Sequence, residues 1–428
     1  MLTMKRDDEP DGHTDDPYEP PRWTIDLSLP PRDRYRKLAR RYKDRVQELT
    51  GLFDALLLDV AVPEKWVPKV KWISQILLRR VYERDQTEEL KGIAEESGIS
   101  VYLLVAFNVI LDVLMGCTSG GVRSLEKGQP ASQVKMLHFR TLDWTMDPLR
   151  RIVVQLDFIR SKSAEPSMIL ASSITYVGFT GVLTGVRPDL SMSLNFRGLH
   201  DNSSRMAQFR FYLHHVLVLL GRRPSIATYL RNYLIGHHEH AEAVHKRRWK
   251  VSQSQSSSAA RPTRLADVHR DLGRRHTTAA YLIFCDGDTT ISIDKDFRSM
   301  KMRQSRDFIA TTNHDVLDHG VEQKATGIVP EDNRVTTRRV AGMEDFLDES
   351  EDRLKCISDR WKRLETRRKR EATGKPGEQQ NGPALTKSQV IEWVRKYPTT
   401  NETTHYATVM DPKIGSVVWC TAYPQPLE

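Results

Sequence analysis

The pattern of hydrophobic and polar positions divides the chain into a helical first part and a strand-rich second part. Apolar residues recur every three or four positions over residues 35–62, and further helical patterns cover 69–84, 88–96 and 100–115. From Cys117 onward the pattern changes to short apolar runs bounded by Gly or Pro, which are typical of strands. Helices grouped apart from strands indicate an α+β fold rather than a doubly wound sheet.

Two apolar helices, predicted over residues 208–220 and 224–235, interrupt the strand-rich part. Two polar stretches are interpreted as flexible insertions: 236–278, with the low-complexity run SQSQSSSAA, and about 341–385, a long charged helix with a Gly/Pro linker. Residues 1–22 are acidic and rich in proline, which predicts a disordered leader. The predicted strands are 23–29, 135–144, 151–160, 167–174, 177–183, 190–197, 279–284, 290–294, 307–312, 405–410 and 416–422.

Composition narrows the class of protein. Four cysteines in 428 residues exclude a disulfide-rich scaffold. The formal net charge of +9 makes an anionic surface a plausible partner. The first residues contain no apolar segment typical of a signal peptide, so we expect an intracellular protein. The apolar run 101–115 contains Asn108 and Asp112, and it is too short to cross a bilayer.

Cys117 lies where the helical part ends and the strand-rich part begins. Its neighbours Gly116, Thr118 and Ser119 are small, which would leave room for a substrate carbonyl beside the thiol. Most free cysteines are buried small hydrophobic residues, however. This position alone therefore does not distinguish a nucleophile from a core residue.

A longer set of motifs resembles a known family. The segments GCTS at 116–119 and HFRTLDW at 138–144 resemble the acid ceramidases and their close relatives, the N-acylethanolamine-hydrolysing acid amidases. The resemblance covers most of the chain from about residue 22 and fails in the two insertions. Further matching blocks follow the family's order: WTIDL at 23–27, ELKGIA at 89–94, YVG at 176–178, LTG at 183–185, SLN at 193–195, RRP at 222–224, TTNHD at 311–315 and RR at 338–339.

The resemblance implies a fold and an activity. These relatives are N-terminal-nucleophile hydrolases with an αββα sandwich, made as inactive precursors that cut themselves before a cysteine. The cut here would fall between Gly116 and Cys117, leaving a helical α subunit region (23–116) and a catalytic β subunit region (117–428) as a heterodimer. The expected reaction converts ceramide to a sphingoid base and a fatty acid, or an N-acylethanolamine to a fatty acid and ethanolamine. It needs no metal and no cofactor.

The resemblance also implies roles for individual residues. Cys117 is the nucleophile, and the α-amine freed by the cut serves as its base. Asp143 orients that amine, Arg140 orders the thiolate and the substrate, and Asn313 donates to the oxyanion. Arg338 supports Asn313 or the polar head of the substrate. Arg140 and Asp143 are three residues apart on one predicted strand, so both can reach Cys117 only through a bulge or at a strand end.

One departure from the family keeps a second function open. After Leu194 and Asn195 the relatives carry a glutamate, whereas this chain has Phe196. The alternative is a catalytically inactive homologue that acts as a basic interaction protein through the segment KRLETRRKR at 362–370.

Partners and compartment follow from the same patterns. The apolar helices at 208–220 and 224–235, with Arg222 and Arg223, would hold an anionic membrane surface as a peripheral contact. No nucleic-acid partner is expected. The relatives act in acidic, lysosome-like organelles, so the compartment of this chain stays open.

Overall fold

Two β-sheets lie face to face at the centre of the structure, a computed structural model. It describes residues 18–51, 64–110, 116–198, 200, 203–236, 264–316, 344–372 and 382–427. The strands are β1 (Arg22–Asp26), β2 (Gly116–Ser124), β3 (Lys135–Asp143), β4 (Val153–Ile159), β5 (Ala171–Tyr176), β6 (Thr184–Arg187), β7 (Leu190–Phe196), β8 (Thr277–Cys285), β9 (Thr290–Phe297), β10 (Ser299–Ser305), β11 (Phe308–Thr311), β12 (Thr404–Asp411) and β13 (Ser416–Ala422).

The helices fall into an upstream group and two covering groups. Short 3-10 turns precede or extend several of them, as at Pro31–Asp33 and Glu64–Trp66. The helices are α1 (Arg36–Arg41), α2 (Lys43–Glu48), α3 (Val67–Leu77), α4 (Arg84–Ser97), α5 (Val101–Ile110), α6 (Arg205–Leu219), α7 (Ile226–Ile235), α8 (Leu265–Arg274), α9 (Glu344–Ala372) and α10 (Lys387–Arg395).

The larger sheet has the order β1-β4-β5-β6-β7-β8-β9-β10, and the smaller sheet has the order β11-β2-β3-β12-β13. The pairing of β1 with β4 is parallel, and the other described strand pairs are antiparallel. Strands β2 and β3 contact β7 and β8 across the interface between the sheets. Because helices cover the outer faces, most strand residues are buried on both sides.

Helices form the outer layers. On the smaller sheet, α9 contacts β2 and β11, while α10 contacts β3 and β12. On the larger sheet, α7 contacts β6 and β7, and α6 contacts β8. The order of layers is helix, sheet, sheet, helix. The α+β prediction and the αββα sandwich are therefore confirmed.

The segment upstream of Cys117 packs into the same body. Strand β1 extends the larger sheet, and a buried ion triad joins α4 to α7. Glu89 accepts hydrogen bonds from Arg34 at 2.9 Å and from Arg231 at 2.7 Å. Asn108 of α5 donates to the backbone oxygen of Gly178 and accepts from the backbone N–H of Thr180. The two predicted subunit regions thus share one core.

Helix α4 approaches the backbone before α1 very closely. A Cβ atom built on Gly92 would lie 1.9 Å from the backbone oxygen of Arg32. No side chain fits there, which gives the glycine of the ELKGIA block a steric reason.

Several predicted elements need correction. The predicted strand over 177–183 is wrong, because these residues connect β5 to β6. Their backbone N–H groups are bound elsewhere: Thr180 donates to the Asn108 side chain, and Val182 donates to Ala227 of α7. The helix predicted over 35–62 is two short helices as far as residue 51, and residues 52–63 lie outside the described part. The leader is shorter than predicted, since Tyr18 already accepts a hydrogen bond from Ala422.

The two predicted flexible insertions contain packed helices. Within 236–278, α8 buries Leu265, Val268 and Leu272 on one face. Within 341–385, α9 buries Ile357 and Trp361 against the smaller sheet. Both helices are rich in charged and polar residues, so the sequence pattern did not reveal the apolar stripe that each one buries. The remaining residues of these insertions, 237–263, 341–343 and 373–381, lie outside the described part, as does 1–17 of the leader.

Candidate active site

Cys117 is the second residue of β2, and it lies between the two sheets. Its side chain is completely buried. The backbone N–H of Cys117 donates to Oδ1 of Asn313 at 2.7 Å. Its Sγ atom lies 3.2 Å from Nη2 of Arg140 and 3.9 Å from the backbone oxygen of Leu194. Both polar atoms of the candidate nucleophile therefore meet side chains predicted from the sequence.

Arg140 reaches the thiol from the neighbouring strand, β3. Its other terminal nitrogen donates to the backbone oxygen of Leu183 at 2.8 Å, so the guanidinium spans from one sheet to the other. In the β2–β3 register, Arg140 pairs with Ser119 and Leu142 pairs with Cys117. These four residues face the larger sheet together because paired positions of a ladder share a face.

Asp143 ends β3 on the opposite face. It pairs with Gly116, the residue before Cys117. Its carboxylate accepts a hydrogen bond from the Thr404 hydroxyl at 2.7 Å and lies 3.7 Å from Nη1 of Arg353. The expected strand end is present, and β12 also carries an irregularity there: Thr404 pairs with Asp143, whereas Tyr406 pairs with the preceding Leu142.

Asn313 lies in the loop after β11, and hydrogen bonds hold both Asn313 and the two residues before it. Its Nδ2 donates to the backbone oxygen of Phe196 at 2.8 Å, and its N–H donates to the Ser350 hydroxyl at 2.8 Å. Asn195 donates to the backbone oxygens of Thr311 and Thr312 just before it. Arg353 Nη2 lies 3.4 Å from the same Oδ1 that faces Cys117.

Burial dominates the electrostatics of the two acidic groups. It raises the pKa of the Cys117 thiol to about 11, although the charge of Arg140 acts in the opposite direction. Burial also raises the pKa of Asp143, partly offset by Arg353 and by the Thr404 hydrogen bond. With the peptide bond before it intact, Cys117 is a neutral thiol at neutral or acid pH.

Parts of the chain are similar in sequence to known proteins. A sequence model for the beta subunit of N-acylethanolamine-hydrolyzing acid amidase matches residues 18–82. An N-acylethanolamine-hydrolyzing acid amidase of Caenorhabditis elegans is 31% identical over 194 residues, covering 42% of this chain and 48% of that protein. The acid ceramidase of Mus musculus is 29% identical over 191 residues, covering 41% and 45%.

Over these segments the chain is similar to members of the acid ceramidase and N-acylethanolamine-hydrolysing acid amidase family. It spans about half the length of the curated relatives that it matches. A solved structure of a Caenorhabditis elegans N-acylethanolamine-hydrolyzing acid amidase ortholog aligns with a TM-score of 0.43 at 17% identity, covering 69% of this chain and 93% of that chain.

Four of the five residues that this family resemblance indicated come together: Cys117, Arg140, Asp143 and Asn313. Arg338, the fifth, lies outside the described residues. The position of the family glutamate is Phe196, a half-buried residue whose backbone oxygen holds Asn313. The main chain of Phe196 therefore contributes to the arrangement, whatever its side chain is.

Arg353, Ser350 and Thr404 were not predicted as site residues, yet they contact the acid amidase motifs directly. Arg353 and Ser350 are on α9, inside the stretch interpreted as a flexible insertion. A signal was available: Arg353 precedes Ile357 and Trp361 at spacings of four, so an arginine falls on the apolar stripe of a charged helix. A buried arginine in such a stripe calls for an acidic or amide partner.

We looked for side chains that could bind a metal ion among the residues that the structure describes. No group of three or more His, Cys, Asp or Glu side chains there could hold an ion.

Proposed function

We propose that the protein is a cysteine amidohydrolase that cuts itself before Cys117 and then hydrolyses the amide bond of an N-acyl lipid. The observation that carries the proposal is the setting of Cys117. Its nitrogen meets Asn313, its sulfur meets Arg140, and Asp143 pairs with the preceding Gly116. The names of the homologues support the same reaction class, as amidases and ceramidases.

The cut would proceed as an acyl shift. Sγ of Cys117 attacks the carbonyl carbon of Gly116, and the peptide nitrogen leaves with a proton as the new α-amine. The Gly116 acyl group then forms a thioester with the sulfur. Water hydrolyses that thioester, which releases the carboxyl end of residues 1–116 and restores the thiol at the first residue of 117–428.

The freed amine would then serve the lipid substrate. An α-amine has an ordinary pKa near 8, so it can take the thiol proton and pass it to the leaving amine of the substrate. The acyl chain remains on sulfur as a thioester until water releases the fatty acid. Asp143 would orient the amine, Arg140 would stabilise the thiolate, and Asn313 would stabilise the oxyanion.

The burial of Cys117 supports a precursor role for the uncut chain. A lipid amide cannot reach a side chain that is completely buried, and the raised thiol pKa keeps the sulfur protonated. An attack on the adjacent Gly116 carbonyl needs no external access. The uncut chain would therefore be inactive toward lipids until the cut reorganises the site.

The substrate class has two members, ceramide and N-acylethanolamine, which share the fatty amide and differ in the amine. Purified protein incubated at acid pH should yield fragments 1–116 and 117–428 by intact mass, whereas Cys117→Ala should stay whole. A labelled N-acyl amide should then acylate only the cut form. A wild-type chain that stays whole and traps no acyl group would favour the inactive, basic interaction protein.

We also infer peripheral binding to an anionic membrane. No helix in the described part is long and apolar enough to span a bilayer. Helices α3 and α6 both contact α5, and each exposes large apolar side chains. Basic residues accompany them, with Lys69 4.6 Å above the Trp66 ring. The exposed apolar residues are Trp66, Trp72, Ile73, Ile76 and Leu77 near or in α3, and Met206, Phe209, Tyr212, Leu213 and Val216 in α6.

Vesicle sedimentation tests this surface. The protein should bind vesicles containing phosphatidylserine more tightly than vesicles of phosphatidylcholine alone, because apolar burial and charge add. Replacing both Trp72 and Phe209 by Glu should weaken binding at least about tenfold. Tyr397→Glu, at an exposed aromatic outside both helices, is the matched control. Equal binding by all three proteins would refute the assignment of the surface.

A further inference from the structure

A tyrosine–histidine pair beside the candidate site takes no part in the steps proposed above. Tyr176, the last residue of β5, and His405 of β12 are both completely buried. The Tyr176 hydroxyl lies 2.8 Å from Nδ1 of His405, and Nε2 of His405 lies 3.0 Å from the backbone oxygen of Trp144. Since Trp144 directly follows Asp143, hydrogen bonds connect Tyr176 to the end of β3.

The direction of these hydrogen bonds follows from chemistry. A carbonyl oxygen only accepts, so Nε2 of His405 carries the hydrogen that points to Trp144. Burial and the charge of Arg150 lower the pKa of His405 to about 3, so the ring is neutral in weak acid. Its Nδ1 is then an acceptor, and the Tyr176 hydroxyl must be the donor. The pair therefore has the same arrangement in weak acid and at neutral pH.

The position of His405 in the strand explains its orientation. Thr404 pairs with Asp143 and Tyr406 pairs with Leu142, so His405 is the extra residue of a β-bulge. Bulges redirect side chains, and they are frequent next to active sites. Here the bulge lets two consecutive residues of β12 hold the end of β3: Thr404 binds the Asp143 carboxylate, and His405 binds the carbonyl that follows it.

Tyr176 connects this arrangement to the upstream segment. Its ring packs edge-on against Phe107 of α5, with centroids 6.4 Å apart. Burial raises the pKa of Tyr176 well above its ordinary value. The tyrosine therefore stays protonated as the donor that His405 requires.

We propose that Tyr176 and His405 are positioning residues for Asp143. They fix the Asp143–Trp144 peptide, and through it the distance between the Asp143 carboxylate and the Cys117 nitrogen. The proposal rests on the amidohydrolase activity proposed above. Fixing this distance matters because a misplacement of about 1 Å near reacting groups can lower a rate about a hundredfold.

Kinetics of the cut enzyme test the pair. Tyr176→Phe and His405→Leu should each lower kcat at least about tenfold while KM changes less than about twofold, because the substrate is not touched. His405→Gln keeps one acceptor and one donor, so it should recover kcat to within about threefold of wild type. Tyr233→Phe removes a buried hydroxyl bound to Asp271 near α8 and should leave kcat unchanged. Equal kcat in Tyr176→Phe and Tyr233→Phe would overturn the proposal.

A second measurement does not depend on activity. In the Cys117→Ala background, carboxyl NMR of Asp143 should show that Tyr176→Phe moves its pKa by more than about 0.3 units, whereas Tyr233→Phe does not. An unmoved Asp143 pKa would reject the positioning role even if the enzyme is active. Conversely, a moved pKa in a wild-type chain that neither cuts itself nor traps an acyl group would reject the proposed function and retain the positioning pair.

Discussion

The guanidinium of Arg353 lies 3.7 Å from the carboxylate of Asp143, and both side chains are almost completely buried. The same guanidinium lies 3.4 Å from the amide oxygen of Asn313. Arg353 thus joins the residue that would orient the amine to the residue that would stabilise the oxyanion. Helix α9 belongs to the site rather than to a surface insertion.

Replacing Arg353 by Met should abolish both self-cleavage and lipid hydrolysis, because it removes the ion pair with Asp143 and the hydrogen bond to Asn313. It should also lower the free energy of unfolding by about 3–5 kcal/mol, since a buried charge loses its partner. Intact mass and chemical denaturation give the two readouts. Arg363→Met, on an exposed face of the same helix, should change neither. A cut, active Arg353→Met would contradict this role.

Asp143 should make stability depend on pH in a defined direction. Its pKa is raised in the folded state, so its contribution is fully present below the unfolded value near 4 and is lost as pH rises through the folded value. In the Cys117→Ala background, Asp143→Asn should therefore gain stability relative to its parent as pH rises above about 4. The slope cannot exceed about 1.4 kcal/mol per pH unit, the value for one proton. Urea titrations at several pH values measure it, and a difference that falls with pH would refute the sign.

The ion triad of Glu89 with Arg34 and Arg231 should be a major determinant of stability. Glu89→Gln removes the carboxylate that both buried arginines share and leaves Arg34 with Asp85 at 3.5 Å, so it should lower the free energy of unfolding by about 3–5 kcal/mol. Glu88→Gln removes partly exposed ion pairs with Lys91 and Arg32 and should cost less than about 1 kcal/mol. Equal midpoints in urea for these two variants would show that the triad is dispensable.

Two helical glycines should respond oppositely to alanine. Gly92→Ala forces a Cβ into the Arg32 backbone oxygen and should destabilise by about 1–3 kcal/mol or more. At Gly273 of α8 the nearest atom to a built Cβ is 3.6 Å away, so Gly273→Ala should stabilise by up to about 1 kcal/mol. Thermal unfolding of both variants checks the pair. A stabilised Gly92→Ala would mean that α4 can move away from the segment before α1.

Helical periodicity and short apolar runs in the sequence predicted elements such as α4, α7 and β3. They gave no strand at β2, because the GCTSGG run has one β-branched residue, Thr118, and no aromatic residue. The structure gives the reason: a Cβ on Gly120 would lie 2.6 Å from the Phe139 ring, and one on Gly121 would lie 1.9 Å from Thr290 of the larger sheet. Gly121 lacks a side chain because the other sheet approaches closely, and Gly120 lacks one because neighbouring strands of its own sheet fill the space.

Site residues within short sequence motifs could be predicted. Site residues that depend on contacts between segments far apart in the chain could not. Cys117, Arg140 and Asp143 are on neighbouring strands, and their motifs were recognisable. The bulge at His405, which allows Thr404 to reach Asp143, depends on the register between β12 and β3, and a single strand carries no signal for that register. Arg353 was missed for a related reason, since its partners are 210 and 40 residues away in the chain.

The parallel pairing of β1 with β4 has a practical consequence for producing the protein. A recombinant polypeptide that starts at Cys117 would lack β1, so β4 would become an exposed edge strand of the larger sheet. The apolar surface that α4 and α5 normally cover would be exposed beside it. Exposed edge strands pair with strands of other chains and so cause aggregation. Bacterial expression of the downstream piece by itself should therefore yield inclusion bodies, and co-expression with the upstream piece should restore soluble material.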